Sequence, residues 1–311
     1  MKIVISPRGF ANYGLEEIEI IKKNNIEVHY NDTGQQYSYE EFIEYAKDAD
    51  GLIVGVDCID KKFIDCCPNL KVICKFGVGT DNIDVEYAQS KNIKIKKTIG
   101  TNTNSVAEHV IALMFADSKN LINSIKEVRE NNWIKPTGRE LKDKTLGIVG
   151  FGAIGKALAS FANGIGMKVI VFDIFELEKK QLEIVEAIQV SFEEVLKQSD
   201  YLSLHLPLTK ETENLVSRRE FSMMKSDSCI INTARGGIVN ETALYDALVS
   251  KKIRSACFDV FSSEPPSKEE ALLSLDNFFL TPHTAARTME AEKRTCHLST
   301  KLVLEELGVE I

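Results

Sequence analysis

The chain has 311 residues, 44% of them hydrophobic and 27% charged, with a formal net charge of −8. That length accommodates two domains of ordinary size, and the acidic balance argues against nucleic acid or an anionic membrane as partner. The amino terminus, Met1-Lys2-Ile3-Val4-Ile5-Ser6-Pro7, has no signal-peptide core, and no apolar run approaches the roughly 20 residues that span a bilayer, so the expected location is the cytoplasm.

In chain order, short apolar runs alternate with longer amphipathic stretches, the pattern of βαβ units and parallel sheets. Ile3-Val4-Ile5 reads as a strand, residues 13–24 as a helix, Ile26 to His29 as a strand and residues 39–48 as a helix. Leu52-Ile53-Val54, Lys71 to Cys74 and Ile93-Lys94-Ile95 continue the pattern to about residue 98, one doubly wound unit. A long helix is predicted from Ser105 to Glu130, followed by a polar loop over 131–144 that contains Pro136 and Gly138. A second α/β unit begins at Thr145. Its strands are Leu146 to Val149, Val169 to Phe172, Tyr201 to Leu204, Cys229 to Ile231, Ser255 to Phe258 and Phe278 to Leu280. Helices fit at 155–165, 192–198, 218–224 and 241–250, and residues 288–308 form a final amphipathic helix. The seven cysteines are odd in number, lack a CxxC pair and mostly lie in apolar runs, which reads as reduced thiols with no metal site.

The strongest local motif is Gly150-Phe151-Gly152-Ala153-Ile154-Gly155, a GxGxxG sequence that follows an apolar strand and opens a helix. Gly150 allows the tight turn, Gly152 lets backbone approach a pyrophosphate, and Gly155 lets helix and strand pack closely. Free N–H groups at the helix start favour an anion there. The next strand ends at Asp173, 18 residues beyond Gly155, near the spacing of a ribose-binding carboxylate. No Arg or Lys follows at once, and a carboxylate repels a 2′-phosphate, so the expected cofactor is NAD.

Three later segments each place a polar residue just past a predicted strand, where open α/β sheets bind ligands. They are Asn232-Thr233-Ala234-Arg235-Gly236-Gly237, Asp259-Val260-Phe261 with Glu264-Pro265, and Thr281-Pro282-His283. Singly, each polar residue has an ordinary surface or packing reading. Together they supply what hydride transfer to a carbonyl requires. A guanidinium grips a carboxylate bidentately, an imidazolium gives a proton to the oxygen that gains charge, and a carboxylate beside the imidazole orients it.

With Lys75-Phe76-Gly77-Val78-Gly79-Thr80-Asp81-Asn82-Ile83-Asp84, and Asn102 with Ser105-Val106-Ala107-Glu108, these motifs resemble the D-isomer-specific 2-hydroxyacid dehydrogenases over nearly the whole chain, and in particular short phosphoglycerate dehydrogenase-like members. The resemblance implies an α/β fold of two doubly wound parallel-sheet domains with the active site in the cleft between them. One is a flavodoxin-like catalytic domain over 1–98 plus 284–311, and the other a Rossmann NAD-binding domain over 99–283. It implies that Arg235 binds and polarises the substrate, that His283 is the acid/base assisted by Glu264, and that Asp259 holds the nicotinamide carboxamide region. Thr233, Ala234 and Ser105 join the glycine motif and Asp173 as expected cofactor residues. Lys75, Gly77, Val78, Gly79 and Asn102 join Arg235 as expected substrate residues, the Gly77 loop offering N–H groups to the carboxylate. The implied assembly is a homodimer formed through the cofactor domain.

The implied substrate is a small 2-oxo or 2-hydroxy acid. Phosphohydroxypyruvate, hydroxypyruvate, glyoxylate and larger 2-oxo acids all stay open. Lys75, Arg8 and Arg287 are candidates to meet a phosphate, whereas Asp57 is unhelpful beside one. The chain ends soon after the last helix, so serine feedback through a carboxy-terminal regulatory domain is not expected. A non-catalytic NAD(H)-sensing regulator is the remote alternative, which an NADH-oxidation assay separates from the enzyme.

Overall fold

A computed structural model describes residues 1–310, and the chain divides into two compact units, Met1–Asn102 with Arg287–Ile311, and Thr103–Ala286. Strands covered on both faces read as continuous apolar runs, and such runs form the sheets of both units.

In the first unit β1 (Lys2–Ile5), β2 (Glu27–Tyr30), β3 (Gly51–Val54), β4 (Val72–Lys75) and β5 (Lys94–Lys97) form one parallel sheet in the order β2-β1-β3-β4-β5. Alternate strand residues point to opposite faces. Ile3, Ile5, Ile53, Val72 and Cys74 therefore pack under α1 (Phe10–Tyr13), α2 (Leu15–Lys23) and the carboxy-terminal helix α13 (Met289–Glu306). Val4, Leu52, Val54 and Ile73 face α3 (Tyr39–Ala46), α4 (Lys61–Asp65) and α5 (Val85–Ser90). Ser38 starts α3 with a reciprocal cap to Glu41. Gly51 lies under Val303 of α13, so a Cβ there would displace the helix that closes this unit.

The second unit opens with α6 (Thr103–Ser118) and α7 (Leu121–Arg129), followed by irregular chain to Asp143. Its strands are β6 (Thr145–Val149), β7 (Lys168–Phe172), β8 (Ala187–Gln189), β9 (Tyr201–Leu204), β10 (Cys229–Asn232), β11 (Ser255–Phe258) and β12 (Phe278–Leu280). They form a parallel sheet in the order β12-β11-β10-β9-β6-β7-β8, which reverses direction between β6 and β9. Helices α8 (Ala153–Gly164), α9 (Lys179–Ile184), α10 (Phe192–Gln198), α11 (Arg218–Met223) and α12 (Glu241–Val249) connect the strands. Leu146, Ile148, Cys229 and Ile231 pack on one face with α6 and α8, and Val149, Leu202, Ile230 and Phe258 pack on the other. Both units are thus doubly wound α/β layers, as the alternation of apolar runs predicts.

Three details depart from the sequence reading. The helix predicted over 105–130 is two helices, broken where Asn120 adopts a left-handed φ of 52°. Asparagine tolerates that conformation, and its side-chain amide donates to the Thr137 carbonyl at 3.2 Å, which fixes the break. Strand β8 and helix α9 went unpredicted, as did α1, which Gly14 separates from α2, the helix expected over 13–24. No helix among the described residues is long and apolar enough to cross a membrane.

Candidate active site

The glycine turn sits where β6 hands over to α8, beside the reversal of strand order. Gly150 has a φ of 94°, and a Cβ there would run into the carbonyl oxygen of His205 at the end of β9. A Cβ on Gly155 would strike the Gly150 carbonyl. Gly152 caps α8 in an extended conformation without a side-chain bond, and a Cβ placed on it meets nothing within 4 Å. The first turn of a twelve-residue helix therefore faces open space, and its free N–H groups and dipole suit a diphosphate.

Asp173 lies at the end of β7 beside this turn. Its Oδ2 accepts from Phe151 N at 2.8 Å and its Oδ1 from Phe175 N at 3.1 Å. The carboxylate holds the glycine turn and still has acceptor capacity for ribose hydroxyls. Ile174 and Phe175, which follow it, are exposed and carry no charge. On the far side of the reversal, the Thr233 hydroxyl is buried without a protein partner, a polar group that a ligand would satisfy. Turn, carboxylate and orphaned hydroxyl fit a dinucleotide.

The loops after β10, β11 and β12 interlock. Asn232 clamps the first: its Oδ1 accepts from Ala234 N at 3.0 Å and its Nδ2 donates to Arg235 O at 2.8 Å. Arg235 Nη1 donates to Ala234 O at 2.6 Å. Gly236 has no room for a Cβ, which would collide with the Phe261 carbonyl, so the loop carrying Arg235 lies hard against the loop carrying Glu264. Phe261 N donates to Glu264 Oε1 at 2.9 Å, and Glu264 Oε2 lies 2.7 Å from His283 Nδ1. A carboxylate only accepts, so Nδ1 carries a proton and Nε2 is the atom left for chemistry. His283 and Glu264 remain partly exposed, as groups that meet a ligand must.

His283 has a φ of 53°, rare outside glycine, and donates its N–H to the Thr281 carbonyl at 2.9 Å. Asp259 holds this loop. It is 1% exposed, and it accepts from Thr281 Oγ1 at 2.5 Å, Thr284 N at 2.9 Å and Ala285 N at 2.8 Å. Ser105, expected to meet the cofactor, spends its hydroxyl on the Ala285 carbonyl at 2.7 Å. Sequence reasoning missed His109, which lies one residue beyond the Ser105–Glu108 motif and contacts Thr281 and Asp259.

Lys75, Gly77, Val78, Gly79 and Asn102 belong to the first unit. Lys75 ends β4, and its Nζ donates to Asn82 Oδ1 at 2.8 Å and to the Gly55 carbonyl. Gly77, at a φ of 133°, gives its own N–H to Thr98 Oγ1 at 2.7 Å. Asp57 is buried, accepting from Ser6 Oγ and, at 3.2 Å, from Gly55 N. Val56 and Val78 are exposed beside these polar contacts.

Residues 111–285 match the family model described as D-isomer specific 2-hydroxyacid dehydrogenase, NAD binding domain. The chain is 37% identical over 295 residues to a hydroxypyruvate reductase of Thermotoga maritima, covering 93% of this chain and 94% of that one. It is 38% identical over 280 residues to a D-3-phosphoglycerate dehydrogenase of Archaeoglobus fulgidus, covering 89% of this chain and 52% of the relative, so the chain spans about half the length of that longer protein. Among solved structures, D-lactate dehydrogenase of Aquifex aeolicus, complexed with NAD and lactic acid, superposes with a TM-score of 0.82 at 29% identity, covering 99% of this chain and 98% of that one.

Proposed function

The chain belongs to the D-isomer-specific 2-hydroxyacid dehydrogenase family and is an NAD-dependent oxidoreductase acting on a CH–OH group, and from that premise we propose that it interconverts a short, unphosphorylated 2-oxo acid and the matching D-2-hydroxy acid. The observation that carries the chemistry is the Glu264–His283 pair, 2.7 Å apart and anchored by the Phe261 N–H. The glycine turn would hold NAD(H), which would supply or receive the hydride at C2 of the acid. In the reduction, His283 Nε2 donates a proton to the oxygen that gains charge, while Glu264 holds Nδ1 and stabilises the charged ring. Arg235 binds the substrate and polarises its carbonyl. Asp173 and residues 150–155 would hold the cofactor, with Thr233 and Ala234 toward its nicotinamide end, while Asp259 and Ser105 act one step back by holding the loop after β12.

The first unit is the substrate domain, and in the Gly77–Gly79 loop the Val78 and Gly79 amides take the substrate carboxylate, the Gly77 amide being bound to Thr98 Oγ1. Three observations favour an unphosphorylated side chain. Val56 and Val78 present apolar surface beside that loop. Arg8, Lys75 and Arg287 each already have a partner within the first unit, namely the Gly34 carbonyl, Asn82 and Glu292. Asp57 adds a buried carboxylate. Hydroxypyruvate and glyoxylate, each named for some of the relatives of this chain, meet these conditions. The enzyme works as a homodimer in the cytoplasm, a reading supported by the exposed apolar face of α7 and by seven free cysteines.

A spectrophotometric panel of NADH oxidation with glyoxylate, hydroxypyruvate, pyruvate and 3-phosphohydroxypyruvate tests the substrate. The highest kcat/KM is expected with glyoxylate or hydroxypyruvate. A clear preference for the phosphorylated acid would overturn the choice of substrate and leave the reaction class standing.

A further inference from the structure

His109 lies inside α6, where an imidazole on a packed helix reads as an ordinary core residue, yet it reaches the loop that carries His283. Its Nε2 is 3.1 Å from Thr281 Oγ1 and 3.7 Å from Asp259 Oδ1. The proton inventory of this cluster fixes who donates to whom. Asp259 is acceptor-only when ionised, and Thr281 Oγ1 lies 2.5 Å from its Oδ1, so the single hydroxyl proton of Thr281 points at the carboxylate. Toward His109 the same oxygen is then an acceptor, and His109 Nε2 must carry a proton. The result is a directed chain, His109 Nε2–H to Thr281 Oγ1–H to Asp259. Asp259 in turn gathers the N–H groups of Thr284 and Ala285, the two residues that follow His283.

We propose that His109 is a positioning residue for the acid/base step: it orients the Thr281 hydroxyl and so fixes the Asp259 carboxylate that holds the His283 loop. His283 needs such support because its φ of 53° is one that surrounding structure has to enforce. Without the imidazole, Thr281 Oγ1 loses the donor that fixes its side chain, and the hydroxyl is no longer pinned against Asp259. Asp259 then loses its shortest bond, and the loop no longer holds His283 Nδ1 on Glu264 all the time. His109 itself never touches substrate in this scheme. The inference rests on the reading of His283 as the acid/base.

The test compares His109→Ala, His109→Gln and Thr281→Val with the wild-type enzyme by steady-state turnover, NADH affinity from fluorescence titration, and thermal midpoint. His109→Ala should lower kcat about tenfold or more, in keeping with the cost of a misplaced catalytic group. KM for the 2-oxo acid, NADH affinity and thermal midpoint should stay near wild type. His109→Gln keeps an N–H donor on a side chain of similar reach and should recover most of the loss. Thr281→Val should show the same drop, and His109→Ala/Thr281→Val no more than either alone, because both break one chain. Wild-type kcat in His109→Ala would overturn the proposal, as would a His109→Gln variant no better than Ala, or a loss that tracks NADH affinity and thermal midpoint. His283→Asn, run alongside, separates the two levels. If it keeps full turnover, the acid/base reading has failed. If it is inactive while His109→Ala is not, only the positioning role has failed.

Discussion

Two histidines of the second unit sit in different surroundings. His283 keeps solvent access and a carboxylate partner, the setting of a group that exchanges protons. His205, just after β9, has its Nε2 2.9 Å from Ser203 Oγ, and burial pushes its imidazole from 6.5 down to about 4. In the folded chain His205 therefore resists protonation, while in the unfolded chain it accepts a proton near pH 6.5. Its neutral burial is fully compatible with the fold above about pH 6.5, and stability is lost as the pH falls from there to about 4. The residue retains some accessible surface, so the whole shift sets an upper bound of roughly 3 kcal/mol. Urea unfolding at pH 7.5 and pH 4.5 should show a smaller acid loss in His205→Asn than in wild type. An equal loss in both would contradict this account of His205. Of the candidate site residues, Arg235, Glu264 and His283 could be proposed from sequence because each follows an apolar strand of a parallel sheet. His109 was not, because nothing in a helical sequence says which loop its side chain will meet.

Helix α7 is an element in search of a partner. None of its residues is buried, and Leu121, Ile122, Ile125 and Val128 place four exposed apolar side chains at helical spacing, with Trp133, 79% exposed, and Ile134 just beyond. Contiguous apolar surface of this kind marks an interface. Sedimentation at micromolar concentration should give a dimer for the wild type and a monomer for Ile125→Glu/Trp133→Ser. A monomeric wild type would refute the assignment. The same stretch shows where element-level reading stops. No glycine or proline interrupts residues 105–130, so local propensity runs straight through the break at Asn120, which depends on a contact with Thr137 some way along the chain. Strand β8 escaped for a related reason: Ala187-Ile188-Gln189 is too short for periodicity to show, and pairing with β7 alone makes it a strand.

Across the whole molecule, what could be read was what repeats: apolar runs buried on both faces, the glycine turn in its strand–helix setting, and polar residues at successive strand ends. What could not be read was how loops far apart in sequence lock together. Gly236 against Phe261, Phe261 on Glu264, and Asp259 under Thr284 and Ala285 are tertiary facts. They hold Glu264 and His283 in hydrogen-bond contact and press the Arg235 loop against them. The claim on which the account turns is that the His283 imidazole moves the proton in the chemical step. Measuring kcat and NADH affinity together in His283→Ala tests it most directly. Turnover should fall by about 10²–10⁴ with NADH affinity within about twofold of wild type, and near-normal turnover in that variant would contradict the mechanism.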